Sequence, residues 1–153
     1  MEWLILWLLV AIGVGLLLFS FRLLSLREVS ISFLLNAYAA SFFGAIVAGA
    51  GLLEYPVRFF AAYTDNSVIF EYLLYPVVSV YVYATSRRSG WLGVAAQCAG
   101  YAAVLTGVEV VFERYTDLIE YHRWTWVYSF VTMFFLTLAV RLLAGRVVGK
   151  TEK

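Results

Sequence analysis

The sequence predicts an all-α integral membrane protein built as a compact bundle of five transmembrane helices. Hydrophobic residues make up 63% of the 153 residues, against about 45–50% in soluble domains, and charged residues make up 14%, against about 25%. Five charge-poor apolar stretches each approach the roughly 20 residues that cross a bilayer core about 30 Å thick. The connections are short, so neighbouring helices are expected to be antiparallel.

The same composition excludes several classes of protein. A soluble domain of this size could not bury so much apolar surface. A formal net charge of +1 gives no basic field for nucleic acid. The single cysteine, Cys98, cannot form an internal disulfide and has no metal-ligating companions at a useful spacing, so no cofactor is expected.

One transmembrane domain, 1–153, is predicted, and its first span reads as uncleaved because no basic residue precedes it. The third and fourth spans each contain one charge, Glu71 and Glu109, and Arg141 extends the fifth by reaching towards the interface. The five spans are predicted at residues 3–21, 29–53, 66–86, 91–112 and 124–143.

The distribution of cations predicts the orientation in a plasma membrane. Eight lie on one side of the predicted bundle and three on the other, so the positive-inside rule places the N-terminus outside and the C-terminus in the cytoplasm. The eight inner cations are Arg22, Arg27, Arg87, Arg88, Arg141, Arg146, Lys150 and Lys153, and the three outer ones are Arg58, Arg114 and Arg123.

Rows of small residues at four-residue spacing occur on helices two and four, for example through Ala45 and through Ala103. Such rows let membrane helices approach closely, so these two helices are predicted to form the bundle centre, with homodimerisation as the alternative use. The amides of Asn36 and Gln97 fall at matching depth and are predicted to form a packing clamp. Bulky helix one is expected to be peripheral.

Two outer connections, 54–66 and 113–123, have apolar and polar residues at helical spacing, which predicts short interfacial helices. Trp124 opens the fifth span from the same side and belongs to the expected aromatic belt at the membrane surface.

Glu71 and Glu109 are the residues that suggest chemistry, because ionisable groups inside a membrane are costly and are functional hypotheses by default. Both lie four or five residues in from the outer ends of their helices. Pro76 frees the carbonyl of Tyr72, which predicts a polar notch beside Glu71. The hydroxyls of Tyr72 and Tyr75 would share this notch, and Glu113 would extend the acidic face of helix four outward.

Three interpretations of the glutamates compete. They could be neutralised structurally by Arg58, Arg114, Arg123 or His122. They could form an outward-facing pocket for a cation or cationic ligand, for which oxygen ligands suit a hard cation or a protonated amine. Acid–base catalysis ranks lowest, because no nucleophile or metal triad accompanies the pair.

The stretch Glu109–Trp126, EVVFERYTDLIEYHRWTW, resembles the most characteristic segment of a family of small, uncharacterised multi-pass membrane proteins from spore-forming Gram-positive bacteria. Those chains have a similar length and a similar run of residues before their last span. The resemblance implies no activity. It implies one outer-face unit that comprises Glu109, Glu113, Tyr115, Thr116, Tyr121, Trp124 and Trp126.

The leading functional hypothesis is a non-enzymatic protein whose outward acidic and aromatic pocket binds a small cationic or polar ligand or a lipid headgroup. The alternative is an accessory subunit of a larger membrane complex with the glutamates in structural ion pairs, and a small dimeric transporter ranks third. The candidate ligand-binding residues are Glu71, Glu109, Glu113, Tyr72, Tyr75, Tyr115, His122 and Trp124. The candidate structural residues are Pro76, Asn36, Gln97, Arg58, Arg114 and Arg123.

Overall fold

A computed structural model describes residues 1–149, and these are predominantly helical, which confirms the all-α class. Four of the five α-helices, all except the third, are long and apolar enough to cross a membrane. The cations Lys150 and Lys153 of the predicted inner side lie outside the described residues. The α-helices are α1 (Glu2–Ser20), α2 (Leu26–Gly49), α3 (Tyr75–Ser86), α4 (Trp91–Tyr115) and α5 (Trp126–Gly149).

Helix α2 has clear start and stop signals. Ser25 caps its N-terminus in a capping box, in which the hydroxyl accepts from the Glu28 amide and the Glu28 carboxylate accepts from the Ser25 amide. At the other end Gly51 adopts φ +65°, a left-handed conformation that glycine tolerates without strain. The helix therefore stops at Gly49, short of residue 53 where the predicted span ends.

A π-helical turn, Phe70–Leu74, runs directly into α3, so that residues 68–86 form one helical segment. Pro76 lies just beyond this turn and lacks the amide that an α-helix would use to bond the Tyr72 carbonyl. The wider turn accommodates that lost bond, and such turns are frequent at functional sites. It leaves Tyr72 half exposed and Glu71 buried at 1% exposure.

The helices pack as a ring in which α2 contacts α3 and α5, and α4 contacts α5 and α3. The predicted contact between α2 and α4 is wrong, because these helices stand across the ring and share no extensive contact. Ala45 and Ala103, at the middle of two of the small-residue rows, face outward. The contacts of α1 with other helices are mainly with α3 and the π-helical turn that precedes it. This is expected of a peripheral helix.

The prediction of interfacial helices in the two outer connections is also wrong. The connections pair with each other through β1 (Leu53–Glu54) and β2 (Glu120–Tyr121), which form an antiparallel ladder. Next to β2, Leu118 and Ile119 are fully buried in an apolar cluster with Leu6. These side chains anchor the connection in the core. Its amphipathic pattern therefore reflects the burial of a non-helical segment.

The predicted amide clamp does not form. Gln97 donates from Nε2 to the Ser89 hydroxyl at 3.0 Å, within its own end of the protein. Asn36 is buried on α2, and its Oδ1 has no hydrogen-bond partner. At the same end Arg141 joins α5 to α3 by donating to Oγ and to the carbonyl of Ser86, at 2.6 and 3.1 Å.

Candidate functional site

A cavity of about 80 Å³ lies inside the ring of helices, between α2 and α4. Glu71 and Glu109 both line it, Glu71 from the π-helical turn and Glu109 from α4. Helix α5 and Tyr75 of α3 also line it, and Leu53 and Tyr55 of the outer connections line the end next to β1. The separation of α2 from α4 is therefore the space that the two carboxylates share.

The Glu71 carboxylate packs directly against the backbone of α2 at Gly44. A Cβ atom added at Gly44 would overlap the carboxyl carbon and both carboxyl oxygens of Glu71. Glycine is required there by the close approach of the acid. Gly44 stands with Ala40 and Ala48 in a second row of small residues on this helix, and here it makes room for a carboxylate.

Glu109 is held by a network of hydroxyl and indole donors from the outer connection and α5. Its Oε1 accepts hydrogen bonds from the Tyr121 hydroxyl and from the Ser129 hydroxyl, each at 2.8 Å. The indole Nε1 of Trp124 in turn donates to Ser129 at 2.7 Å. Both hydroxyls donate to Oε1 and the indole holds the Ser129 hydroxyl, so the network orients the carboxylate and leaves Oε2 without a donor.

Three carboxylate oxygens at this cavity are buried without a hydrogen-bond partner, namely Oε1 and Oε2 of Glu71 and Oε2 of Glu109. The side-chain amide of Asn66 lies near the Glu71 carboxylate and interacts with it, but its hydrogen bond of good geometry is donated to the Ser41 carbonyl at 3.3 Å. Within residues 1–149, no cationic side chain lies within ion-pairing distance of either glutamate. Buried carboxylates of this kind require compensation by a proton or a bound cation.

Aromatic rings surround the carboxylates. Tyr55, Tyr75 and Trp124 line the cavity. Tyr55 lies outside the helices, and burial, with the neighbouring carboxylates contributing, raises the pKa of its phenol well above the usual value. Burial and the adjacent Glu109 likewise raise the pKa of Tyr121. Both phenols therefore stay protonated, and Tyr121 remains a donor to Glu109 at every physiological pH.

The structure brings together half of the candidate ligand-binding residues. Glu71, Glu109, Tyr75 and Trp124 line the cavity. The other four do not line it: Tyr72 and Tyr115 are exposed, Glu113 lies one turn beyond Glu109, and His122 lies in the outer connection.

None of the three arginines proposed to neutralise the glutamates forms an ion pair with Glu71 or Glu109. Arg58 binds the outer connection to itself by donating to the carbonyls of Tyr55 and Thr64, at 2.6 and 2.7 Å. It also pairs with the exposed Asp65. Neither Arg114 nor Arg123 forms an ion pair in the described part of the chain.

His122 belongs to a separate polar depression beside the β1–β2 ladder, which Arg58 and Asp65 also line. Its Nε2 is 3.2 Å from a carboxylate oxygen of Glu54, and its Nδ1 is 3.9 Å from one of Glu120. Glu54 and Glu120 face each other across the ladder of β1 and β2. His122 therefore lies between two carboxylates of the β1–β2 ladder, away from the buried glutamates.

Sequence reasoning missed four residues of the site: Gly44, Tyr55 and Ser129, which line the cavity, and Tyr121, which donates to Glu109. Tyr121 carried a signal, since it belongs to the segment of the family resemblance. Ser129 and Tyr55 carried none, because an isolated hydroxyl in an apolar helix or connection is unremarkable. Gly44 carried a small-residue signal that indicated close approach without naming the group that approaches.

No protein-family model, curated protein or solved structure matches the chain. The interpretation of the site therefore depends on its own geometry.

Proposed function

We propose that this protein is a non-enzymatic plasma-membrane protein that binds a small cation from the outside, between Glu71 and Glu109. The observation that carries the proposal is the set of three buried carboxylate oxygens without partners at one cavity. A cation in this cavity would compensate the buried acids that line it.

The proposal includes five membrane spans with the N-terminus outside. Residues 68–86 form a continuous helical segment of the right length for a span once the π-helical turn is included. The cation split of eight to three supports the orientation. In this orientation the carboxylates lie in the outer half of the bilayer, under the connections that carry β1 and β2.

The inner half of the bundle supports binding from one side. Below the cavity, an apolar cluster that includes Val29, Val80 and Ala144 is almost fully buried. Arg141 holds the inner ends of α3 and α5 together through Ser86. A positive side chain and a dry apolar cluster are barriers to a cation, so a cation that enters from outside would leave by the same route.

The test measures stabilisation of purified protein by added cations. Ligand at about 100 times its Kd stabilises the folded state by about 2.7 kcal/mol, which a thermal unfolding scan resolves. Sodium, calcium and methylammonium chlorides are each titrated against wild type, Glu71→Gln and Glu109→Gln. We expect at least one cation to raise the Tm of wild type and to lose that effect in both variants.

Glu113→Gln is the matched control, because Glu113 lies on the same helix one turn from Glu109 and does not line the cavity. It should respond to the cation as wild type does. Equal Tm shifts in wild type, Glu71→Gln and Glu109→Gln would refute the site, as would the absence of any cation-dependent shift in wild type.

A second candidate function, docking to another membrane protein, is favoured by one observation. Four small residues on one face of α4 are all exposed, which leaves a smooth surface on the membrane-embedded side of the helix. They are Ala96, Gly100, Ala103 and Gly107. Cysteine cross-linking of Gly100→Cys in native membranes tests this role, and a partner or a second copy should be captured there and not at exposed Leu92→Cys.

A further inference from the structure

We infer that the cation is a short primary amine whose far end carries a hydroxyl, that is, an amino alcohol. This inference rests on the proposed cation site and adds the chemistry of the rest of the cavity. It follows from the length of the cavity, the residues at its two ends and the absence of a second charge at its deep end.

The outer level of the cavity suits an ammonium group better than a metal ion. Residues 1–149 contain no group of three or more His, Cys, Asp or Glu side chains that could hold a metal. Glu71 and Glu109 instead stand among the rings of Tyr55, Tyr75 and Trp124. Carboxylates with aromatic faces are the usual surroundings of bound ammonium groups.

The cavity continues inward beyond the carboxylates. Along α2 it extends from Gly44 to Asn36, and along α5 from Ser129 to Thr137. Each pair is eight residues apart, which corresponds to about 12 Å of helix. Between these levels Ala40 and Leu136 give the wall an apolar character, so a ligand with a short methylene chain fits where a bare ion would leave empty space.

The deep end of the cavity is neutral and polar. Asn36 is 2% exposed, lines the cavity and has an Oδ1 without a partner. Thr137 lines the same end. A hydroxyl on the ligand can both donate and accept, so it pairs with the Asn36 amide in either orientation of that amide.

A diamine fits this end poorly. The residues that line the cavity around Asn36 include no carboxylate, since both acids of the cavity belong to its outer level. A second ammonium group would be buried beside neutral groups only, and such burial is costly. A plain alkylamine would leave the Asn36 oxygen unsatisfied. The amino alcohol alone matches charge at one end and a neutral hydrogen bond at the other.

The experiment compares three ligands of equal chain length, 4-amino-1-butanol, n-butylammonium and 1,4-diaminobutane, by calorimetric titration of purified protein. We expect 4-amino-1-butanol to bind about 5-fold more tightly than n-butylammonium, the gain typical of one hydrogen bond. Asn36→Leu, which is close in volume, should abolish this preference and leave n-butylammonium binding intact. Ser32→Ala, a buried hydroxyl one turn deeper that does not line the cavity, should retain the preference.

The outcomes separate this inference from the cation site itself. Binding of sodium or calcium that depends on Glu71 and Glu109, without binding of amines, would overturn the amino alcohol and leave the cation site in place. A preference for 1,4-diaminobutane or n-butylammonium, or a preference for the alcohol that survives Asn36→Leu, would also overturn it. If neither amines nor metal ions bind, both proposals fail.

Discussion

Replacing Gly44 by alanine tests the contact on which the geometry of the site depends. The added methyl group would overlap the Glu71 carboxylate, which is buried on the opposite side of the contact. Either the carboxylate moves into the cavity or the α2 backbone moves away. The carboxylate is the far end of a flexible side chain with open space beside it, so we expect the carboxylate to move.

The expected change in stability is small because two effects oppose each other. Inserting a methyl group into a packed contact costs about 1–3 kcal/mol. Alanine in a helix interior gains about 1 kcal/mol over glycine. The net loss in the free energy of unfolding is thus about 0–2 kcal/mol, which lowers the Tm by at most about 8 °C for a chain of this size.

The expected change in cation binding is larger. A hydrogen bond to a charged group is worth about 1.5–3 kcal/mol, so displacing the Glu71 carboxylate from its cation-binding position into the space of the cation should weaken binding by about 10-fold or more. The assay is the same cation titration, read by thermal unfolding. Gly49→Ala is the matched control on α2, because nothing lies within 4 Å of a Cβ atom there, and it should bind as wild type does.

A double-mutant cycle isolates the contact. If the overlap with Glu71 is the cause, Gly44→Ala should cost less in the Glu71→Ala background than in wild type, where the carboxylate is present. Additive effects on stability, together with cation affinity in Gly44→Ala equal to that in Gly49→Ala, would refute the packing of Glu71 on Gly44 and with it the described geometry of the site.

Three further predictions follow from the topology, the shared cavity and the burial pattern. An impermeant thiol reagent applied to intact cells should label Asp117→Cys and not Ser89→Cys, and the opposite pattern would reverse the orientation. A double-mutant cycle with glutamine at the two cavity glutamates should be non-additive in the free energy of unfolding, whereas simple addition would mean two independent sites. Ala102→Leu should destabilise the protein by about 1–3 kcal/mol, and neighbouring Ala103→Leu should leave the Tm unchanged, because the first is fully buried and the second exposed.

The helical class could be predicted from composition because each membrane helix satisfies its own backbone and needs only apolar length. The partners of the helices could not. Rows of small residues occur both where α2 faces the cavity at Gly44 and where α4 faces outward at Ala103. In both helices the four-residue spacing predicts a smooth face. It does not indicate whether that face meets another helix, a cavity or the surroundings of the protein.

The sharing of one cavity by two acids could be anticipated, since counting residues from the helix ends predicts Glu71 and Glu109 at the same level. Their surroundings could not be anticipated. Tyr55 lines the cavity and Tyr121 donates to Glu109, and both come from connections that the sequence pattern predicted to be helical. The buried Leu118 shows that this pattern marks residues that face the core. Buried apolar residues can have the same spacing in a helical connection and in an extended one, so sequence alone does not distinguish these two conformations.

The π-helical turn has a consequence for how such a site arises and is lost. A π turn contains one residue more than the α turn it replaces, and one residue corresponds to about 100° of rotation. Deleting a single residue from Phe70–Leu74 would remove the extra residue of this turn and would rotate the segment before the deletion by that angle. The Glu71 carboxylate would then leave the cavity with every other helix in place. The site is therefore encoded in the length of this segment as much as in the identity of its acid, and a chain that keeps the glutamate but is one residue shorter here would keep the fold and lose the pocket.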